Sequence, residues 1–319
     1  MEIDKLYQTL KNIEKPVDNS YNVVKIENSY YGISKEGYIT FISETDNEHI
    51  RPTSQRTKHL FLETNMKCSL KTDEVIYEGI YNVLVCFESN YESIISFIQL
   101  TNVYSKSRKS TLINIKTFFE TLKNLFSNKK QLPLLELQGL FGELYFMYYI
   151  QNDKFDISDF WQSKEKMKFD FSITEYNKIE IKTTTGDSRV HKFRHEQLVS
   201  DIYDTWIVSI MLRKDDQGLS LYELSENVKK NNPLKFNLHI RITNLLNNYT
   251  KTELEQIKFN ENYIKSNMGF YRTLDIPRFQ EKQPKGVYNT EYDADLSNVK
   301  KNNKTQINEW ICKSLKLNQ

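Results

Sequence analysis

The chain is 319 residues long, 39% hydrophobic and 13% aromatic, which is enough apolar material for two modest packed domains. Its 44 basic and 42 acidic residues leave a net charge of only +2, so a polyanionic partner would be met by a local basic face and not by total charge. No run approaches the roughly eighteen apolar residues of a membrane span, the opening MEIDKLYQTL lacks an apolar signal core, and Cys68, Cys86 and Cys312 form neither zinc-type spacing nor a disulfide framework, so a cytoplasmic protein without membrane contact is expected.

Residues 1–108 read as a β-rich N-terminal domain. Strand-like runs at 21–26, 37–42, 75–77, 82–87 and 94–100 are broken by polar or Gly-containing turns. None of them carries catalytic chemistry; DNA binding, dimerisation and simple cover for the rest of the chain all remain open. Residues 109–319 form the second expected domain. Ser110 or Thr111 caps a helix running to Phe126, with Leu112, Ile115, Phe119, Leu122 and Phe126 on one face. Residues 127–130 are the loop that follows.

Residues 134–150, LLELQGLFGELYFMYYI, are too long for one strand and almost without a polar face, which predicts a helix buried on most sides. Pro133 suits its first turn, where a missing N–H costs nothing. On the helical wheel Glu143 falls between Met147 and Ile150, a costly position for a carboxylate that is neither paired nor bound to a metal. Glu136 lies further up the same side. Gly139 and Gly142 predict that something packs against the backbone there. A buried Glu bonded to a lysine or a backbone group would produce the same pattern.

Two short stretches, 169–173 and 178–182, alternate apolar and polar residues around the turn 174–177, which predicts a hairpin. Phe169, Phe171, Ile179 and Ile181 then face the core, while Asp170, Glu180 and Lys182 share the other face. Two carboxylates and an ammonium on one small area can hold a hard divalent cation beside a water molecule, the chemistry of phosphodiester cleavage. Taken alone, the hairpin also reads as the solvated face of any amphipathic pair. Residues 183–188 follow as an exposed loop, 190–193 as a short strand, 195–200 as a helix and 206–212 as an inner strand. Helices are expected at 220–230 and 254–268, and 300–304 is a polar loop. Candidate basic patches lie at 106–109, 164–168, 189–194 and 300–304. The third, with Arg189, His191, Lys192 and Arg194, directly follows the hairpin and is the one best placed to meet a phosphate backbone.

A helix Glu143, then a strand Asp170, then Glu180-Ile181-Lys182 resembles the PD-(D/E)XK nuclease superfamily. More closely, the chain resembles a PD-(D/E)XK family of bacteria and archaea often encoded near phage-defence and restriction-modification genes. Residues 139–144, the Asp170 strand, 179–184, 190–193 leading into 196–198, 271–279 and 286–297 carry that resemblance. The name-giving proline is absent, since Phe169 precedes Asp170, but only the carboxylate binds metal. The resemblance implies an α/β fold with a restriction-endonuclease-like core, a mixed sheet flanked by helices. It also implies a Mg²⁺-dependent DNA endonuclease, with Mn²⁺ able to substitute, acting on double-stranded DNA and leaving a 5′-phosphate. Asp170 and Glu180, the Ile181 carbonyl and Glu143 are the implied metal ligands. Lys182 orients the attacking water, and Gln197 touches phosphate or a nearby ligand. A homodimer and a methyltransferase or ATPase partner are compatible with it. The alternative is a non-catalytic DNA-binding or assembly subunit that keeps the fold.

Overall fold

A computed structural model describes residues 3–316 apart from 19, 46–50, 112–113, 128–130, 154, 163–167 and 282. The chain opens with α1 (Ile3–Asn12), then β1 (Tyr21–Ile26), β2 (Ser29–Ile33), β3 (Ile39–Glu44), β4 (Thr53–Arg56), β5 (Leu60–Lys71) and β6 (Ile76–Cys86), and two helices, α2 (Tyr91–Thr111) and α3 (Ile115–Ser127). The strands form one sheet in the order β1-β2-β3-β6-β5-β4, and a short parallel pairing of β1 with β5 curls it back on itself. Alternation along the strands gives the sheet two apolar faces. Tyr31, Phe41, Leu62 and Leu84 pack with Leu6, Phe97, Tyr104, Phe118 and Leu122 from the helices. Val23, Tyr30, Ile42, Val83 and Val85 form a second cluster.

The remainder of the chain runs through α4 (Leu134–Gln151), β7 (Phe171–Ser172), β8 (Asn177–Thr184), β9 (Val190–Arg194), α5 (His195–Leu198), β10 (Asp204–Met211), β11 (Lys214–Ser220) and α6 (Leu221–Asn231). Next comes α7 (Phe236–Leu246), and after it α8 (Lys251–Glu255), β12 (Lys258–Phe259), α9 (Glu261–Asn267), β13 (Gly269–Arg272), β14 (Glu291–Asp295) and α10 (Lys304–Lys316). Two compact units result: residues 1–131 with 232–250, and residues 132–231 with 251–319. The expected boundary at 108/109 falls inside α2. The first unit extends past it because Ile115, Phe118, Phe119, Leu122, Phe126, Phe236 and Ile240 all belong to its core.

In the second unit β13-β10-β8-β7 form a four-stranded mixed sheet, β8 parallel to β10 and the outer pairs antiparallel. β10 is buried from Thr205 to Met211 because both its faces are covered, which is why it reads as a continuous apolar run. On one side α4 packs on β8, and Gly142 is the point of closest approach: a Cβ there would collide with Thr183 Cγ2 and lie 3.3 Å from Ile181 Cγ2. Gly139 has open space around it, so only one of the two glycines marks close packing. Another part of the sheet is covered by β9, paired with β14, through Phe193, Leu198, Ile207, Tyr271 and Leu296.

Three local readings are corrected. Residues 94–100 are helix, not strand: Asn90 Oδ1 accepts the Ser93 N–H at 2.8 Å, and Ile94, Phe97, Ile98, Thr101 and Tyr104 recur at helical spacing on a buried face. Ser110 and Thr111 fall within α2, and the next helix is capped by Asn114, which accepts from Thr117 N at 2.9 Å; Leu112 lies outside the described residues. The single helix expected at 254–268 is broken by β12, and Asn260 restarts it as the cap of α9. No described helix is long and apolar enough to cross a membrane.

Candidate active site

α4 is positioned by an apolar surface that wraps most of its length, from Leu137 to Ile150, while Leu134, Leu135 and Glu136 in its first turn are exposed. Glu143 is therefore held at a fixed height against the sheet. Its Oε2 accepts a 2.6 Å hydrogen bond from the indole N–H of Trp161, itself fully buried. The Trp161 backbone bridges to Phe171 of β7, so α4 and the hairpin are tied together through this residue.

The expected hairpin forms in shortened form: only Phe171 and Ser172 ladder with Ile179 and Lys178. Phe169, Phe171, Ile179 and Ile181 are buried as the alternation requires. Asp170 is anchored by one oxygen, Oδ2 accepting the Ile181 N–H at 2.6 Å. Glu180 and Lys182, two apart on β8, share a face, and their Oε1 and Nζ stand 2.7 Å apart. This face is not wet. Glu180 is buried and Lys182 is mostly shielded, its ammonium 5.3 Å from the Phe193 ring centroid.

Gln197 joins the set more closely than its helix position suggests. Buried on α5, it donates from Nε2 to Glu180 Oε1 at 2.7 Å and to the Lys168 carbonyl at 3.1 Å. Its Oε1 accepts from Lys182 Nζ at 3.3 Å and from Arg194 N at 3.1 Å. One amide thus fixes both members of the Glu-x-Lys pair. Trp161 carries no motif signal. A lone Trp between the buried helix and the hairpin, needing an acceptor for its N–H, was the only hint available.

Electrostatically the carboxylates act on one another. Burial lifts the Glu143 carboxyl to about 7, opposed by the Trp161 hydrogen bond and reinforced by the charge of Glu180. Asp170 is pushed well above the usual carboxylate range, first by burial and then by the charges of Glu180 and Glu143, against the pull of the Ile181 N–H and Lys182. Glu143, Asp170, Glu180 and Lys182 are therefore brought into one neighbourhood.

The basic run after the hairpin divides. Lys192 and Arg194 are exposed, Arg194 pairing with Glu291 at 3.3 Å. Arg189 and His191 turn inward and do not face an outside backbone, which corrects the expectation for both. Alternation on β9 sends His191 under the ribbon, where its Nε2 meets Ser209 Oγ at 2.6 Å. Arg189 spends its donors on the Ser209 carbonyl at 3.1 Å, Ser209 Oγ at 2.9 Å and the Asn267 carbonyl. Burial, then the charges of Lys182 and Arg189, hold the His191 imidazole down at about 3, so it is neutral. Of the other basic patches, Lys106 pairs with Glu27 at 3.6 Å and Lys168 with Glu196 at 3.7 Å. Lys164 and Lys166, and the side chains of Arg108 and Lys109, lie outside the described residues.

Among the described residues no three His, Cys, Asp or Glu side chains converge into a ready metal-ligand set. A magnesium-type cation asks for less: one or two carboxylates, completed by water and substrate oxygens. Asp170 fits that requirement, because one oxygen is spent on the Ile181 N–H and the other has no hydrogen bond among the described residues. Glu180 has the same arrangement, with Oε1 held by Lys182 and Gln197. Mutual repulsion among these carboxylates is what a cation would relieve.

A mixed α/β unit with a helix glutamate, an aspartate just ahead of a short strand and a Glu-x-Lys strand gathered together defines the acidic-plus-lysine class of site; Asp170 itself lies before β7 and not in the strand expected for it. The chain belongs to the family described as "Putative PD-(D/E)XK family member, (DUF4420)", which matches residues 4–297. No curated protein and no solved structure matches the chain.

Proposed function

We propose that this protein is a divalent-metal-dependent deoxyribonuclease with a restriction-endonuclease-like core, serving restriction or phage defence. The observation that carries the reading is the Lys182–Glu180 pair at 2.7 Å, fixed by Gln197, beside two carboxyls, Asp170 and Glu143, that burial and one another's charge push upward. Perturbed acids and a lysine gathered at one place are the signature of a site built for charge that arrives with substrate and cofactor.

Asp170 and Glu180 would hold Mg²⁺ through their unspent oxygens, with the Ile181 carbonyl beside them and Glu143 acting directly or through water. Bound there, the cation would polarise the scissile phosphate and lower the pKa of a water. Lys182 donates to the attacking water or to the phosphoryl oxygens and offsets the charge that builds on them; a positioned group of this kind contributes about 10²–10⁴ in rate. Gln197 keeps the ammonium and the Glu180 carboxylate in register, and Trp161 keeps Glu143 pointed at the sheet. The non-catalytic alternative requires none of these contacts, and their retention counts against it.

Supercoiled plasmid, methylated and unmethylated, incubated with the protein and Mg²⁺, Mn²⁺ or EDTA tests the proposal. Metal-dependent nicking or linearisation is the expected outcome. Intact plasmid under every condition, together with retained duplex binding, would favour the non-catalytic subunit.

A further inference from the structure

Among the described residues no group of three His, Cys, Asp or Glu side chains gathers in the first unit, but one edge of its sheet carries a run of cations. β4 is the edge strand among the described residues, and all four of its residues are exposed. From Arg51 to Leu62 the chain carries Arg51, Arg56, Lys58 and His59 and no carboxylate, and the nearest one in the ladder is Glu63, opposite Ser54 on β5. His59 is engaged by Glu88. Arg51, Arg56 and Lys58 are exposed and make no ion pair among the described residues.

Arg56 is the informative member. Its guanidinium lies 4.6 Å from the Phe87 ring centroid and 5.6 Å from that of Phe61, the residue opposite it on β5. Tyr38, itself 38% exposed, packs edge-on against Phe87 at 5.0 Å. Cation–π attraction to these rings favours that position without spending the guanidinium's donors. Those donors make no hydrogen bond among the described residues. Arg56 also reaches Glu36, but that carboxyl is held low first by its own backbone N–H and by Ser34, with Arg56 the smallest contribution. A guanidinium with an unspent fork matches two phosphate oxygens. Charge on an edge strand also blocks pairing between sheets; that role needs only charge, and nothing in it calls for a guanidinium stacked on two rings.

We propose that β4 with its flanks, through Arg51, Arg56 and Lys58, is a docking edge for the phosphate backbone of duplex DNA, with Arg56 as its bidentate contact. The proposal rests on DNA being the substrate, and it assigns the first unit a share in holding it.

The test uses the full chain carrying Lys182→Ala, so that bound DNA stays intact, and fluorescent duplexes of two unrelated sequences titrated at rising salt. Adding Arg51→Ala, Arg56→Ala and Lys58→Ala is expected to weaken binding roughly tenfold or more on both sequences. The slope of log K against log salt should fall by about 2 to 3, at about 0.9 per lost phosphate contact. Arg56→Lys alone keeps the charge but loses the fork and should fall between. An unchanged melting temperature shows that the variants fold. Unchanged affinity and slope would overturn the proposal, and so would a loss confined to one sequence, which would make the contact one to base edges. A wild type that cuts plasmid while the triple variant binds undiminished sinks the docking edge alone. A chain that binds through β4 and cuts nothing sinks the nuclease reading alone.

Discussion

Replacing Glu143 by Gln removes a charge and keeps the shape, and the amide oxygen can still accept the Trp161 N–H that Oε2 takes at 2.6 Å. Burial and the Glu180 charge raise the Glu143 carboxyl from 4.5 to about 7. A carboxyl raised on folding contributes stability that is whole below about 4.5 and is lost as pH climbs through about 7. Between pH 5 and pH 8 the wild type should therefore lose about 2–3 kcal/mol that the variant keeps, at about 1.4 kcal/mol per pH unit of displacement. For a unit of about 170 residues that is a relative shift of about 5–10 °C in melting temperature. The assay is thermal melting of both proteins across that range, in EDTA. Glu143→Gln should match the wild type at the acid end and exceed it at pH 8. Parallel curves, or a variant that is the weaker protein at pH 8, would refute the reasoning, because they would mean that the ionised carboxylate is already compensated.

Other outcomes follow from the same geometry. Asp170→Asn and Glu180→Gln should each weaken Mg²⁺ binding by at least tenfold in calorimetry; unchanged affinity in both would remove them as ligands. Gly142→Ala drives a Cβ into the Thr183 methyl and should cost about 1–3 kcal/mol in denaturant unfolding, as overpacking does; a neutral result would show that the Thr183 side chain yields to it and that the approach of α4 to β8 does not depend on this glycine. The stability His191 contributes is whole above about 6.5 and drains as pH falls toward about 3. In an NMR titration its imidazole should therefore stay neutral through pH 5, and a midpoint near the ordinary value would show that His191 is not buried as described beside Lys182 and Arg189.

Legibility in the sequence followed the range of the interactions. Helix α4 and strands β8, β9 and β10 were readable because each buries a face at its own period, and Glu180 and Lys182 could be placed on one face of β8 from alternation alone, whereas Asp170 precedes its short strand and is held by the Ile181 N–H. Glu143 stood out as a carboxylate in an apolar helix. What holds the set together was not readable. The Trp161 bond to Glu143 and the Gln197 bond to Glu180 link residues 18 and 17 apart, and no local pattern encodes them. Residues 94–100 misled because IISFIQL has enough β-branched residues to pass for a strand, and only the helical recurrence continuing to Tyr104 separates the two. Arg189 and His191 misled for the opposite reason. Basic residues were read as surface, whereas Ser209, from a strand 18 or more residues away, supplies the oxygens that allow both to be buried.

Cleavage of supercoiled plasmid by wild type and by Lys182→Ala, at equal concentration in Mg²⁺, tests the central claim most directly. The account predicts that the wild type cuts, that EDTA stops it, and that the variant loses cutting while binding duplex DNA nearly as well. Undiminished cutting by Lys182→Ala would contradict it, since the lysine paired with Glu180 would then have no part in the chemistry.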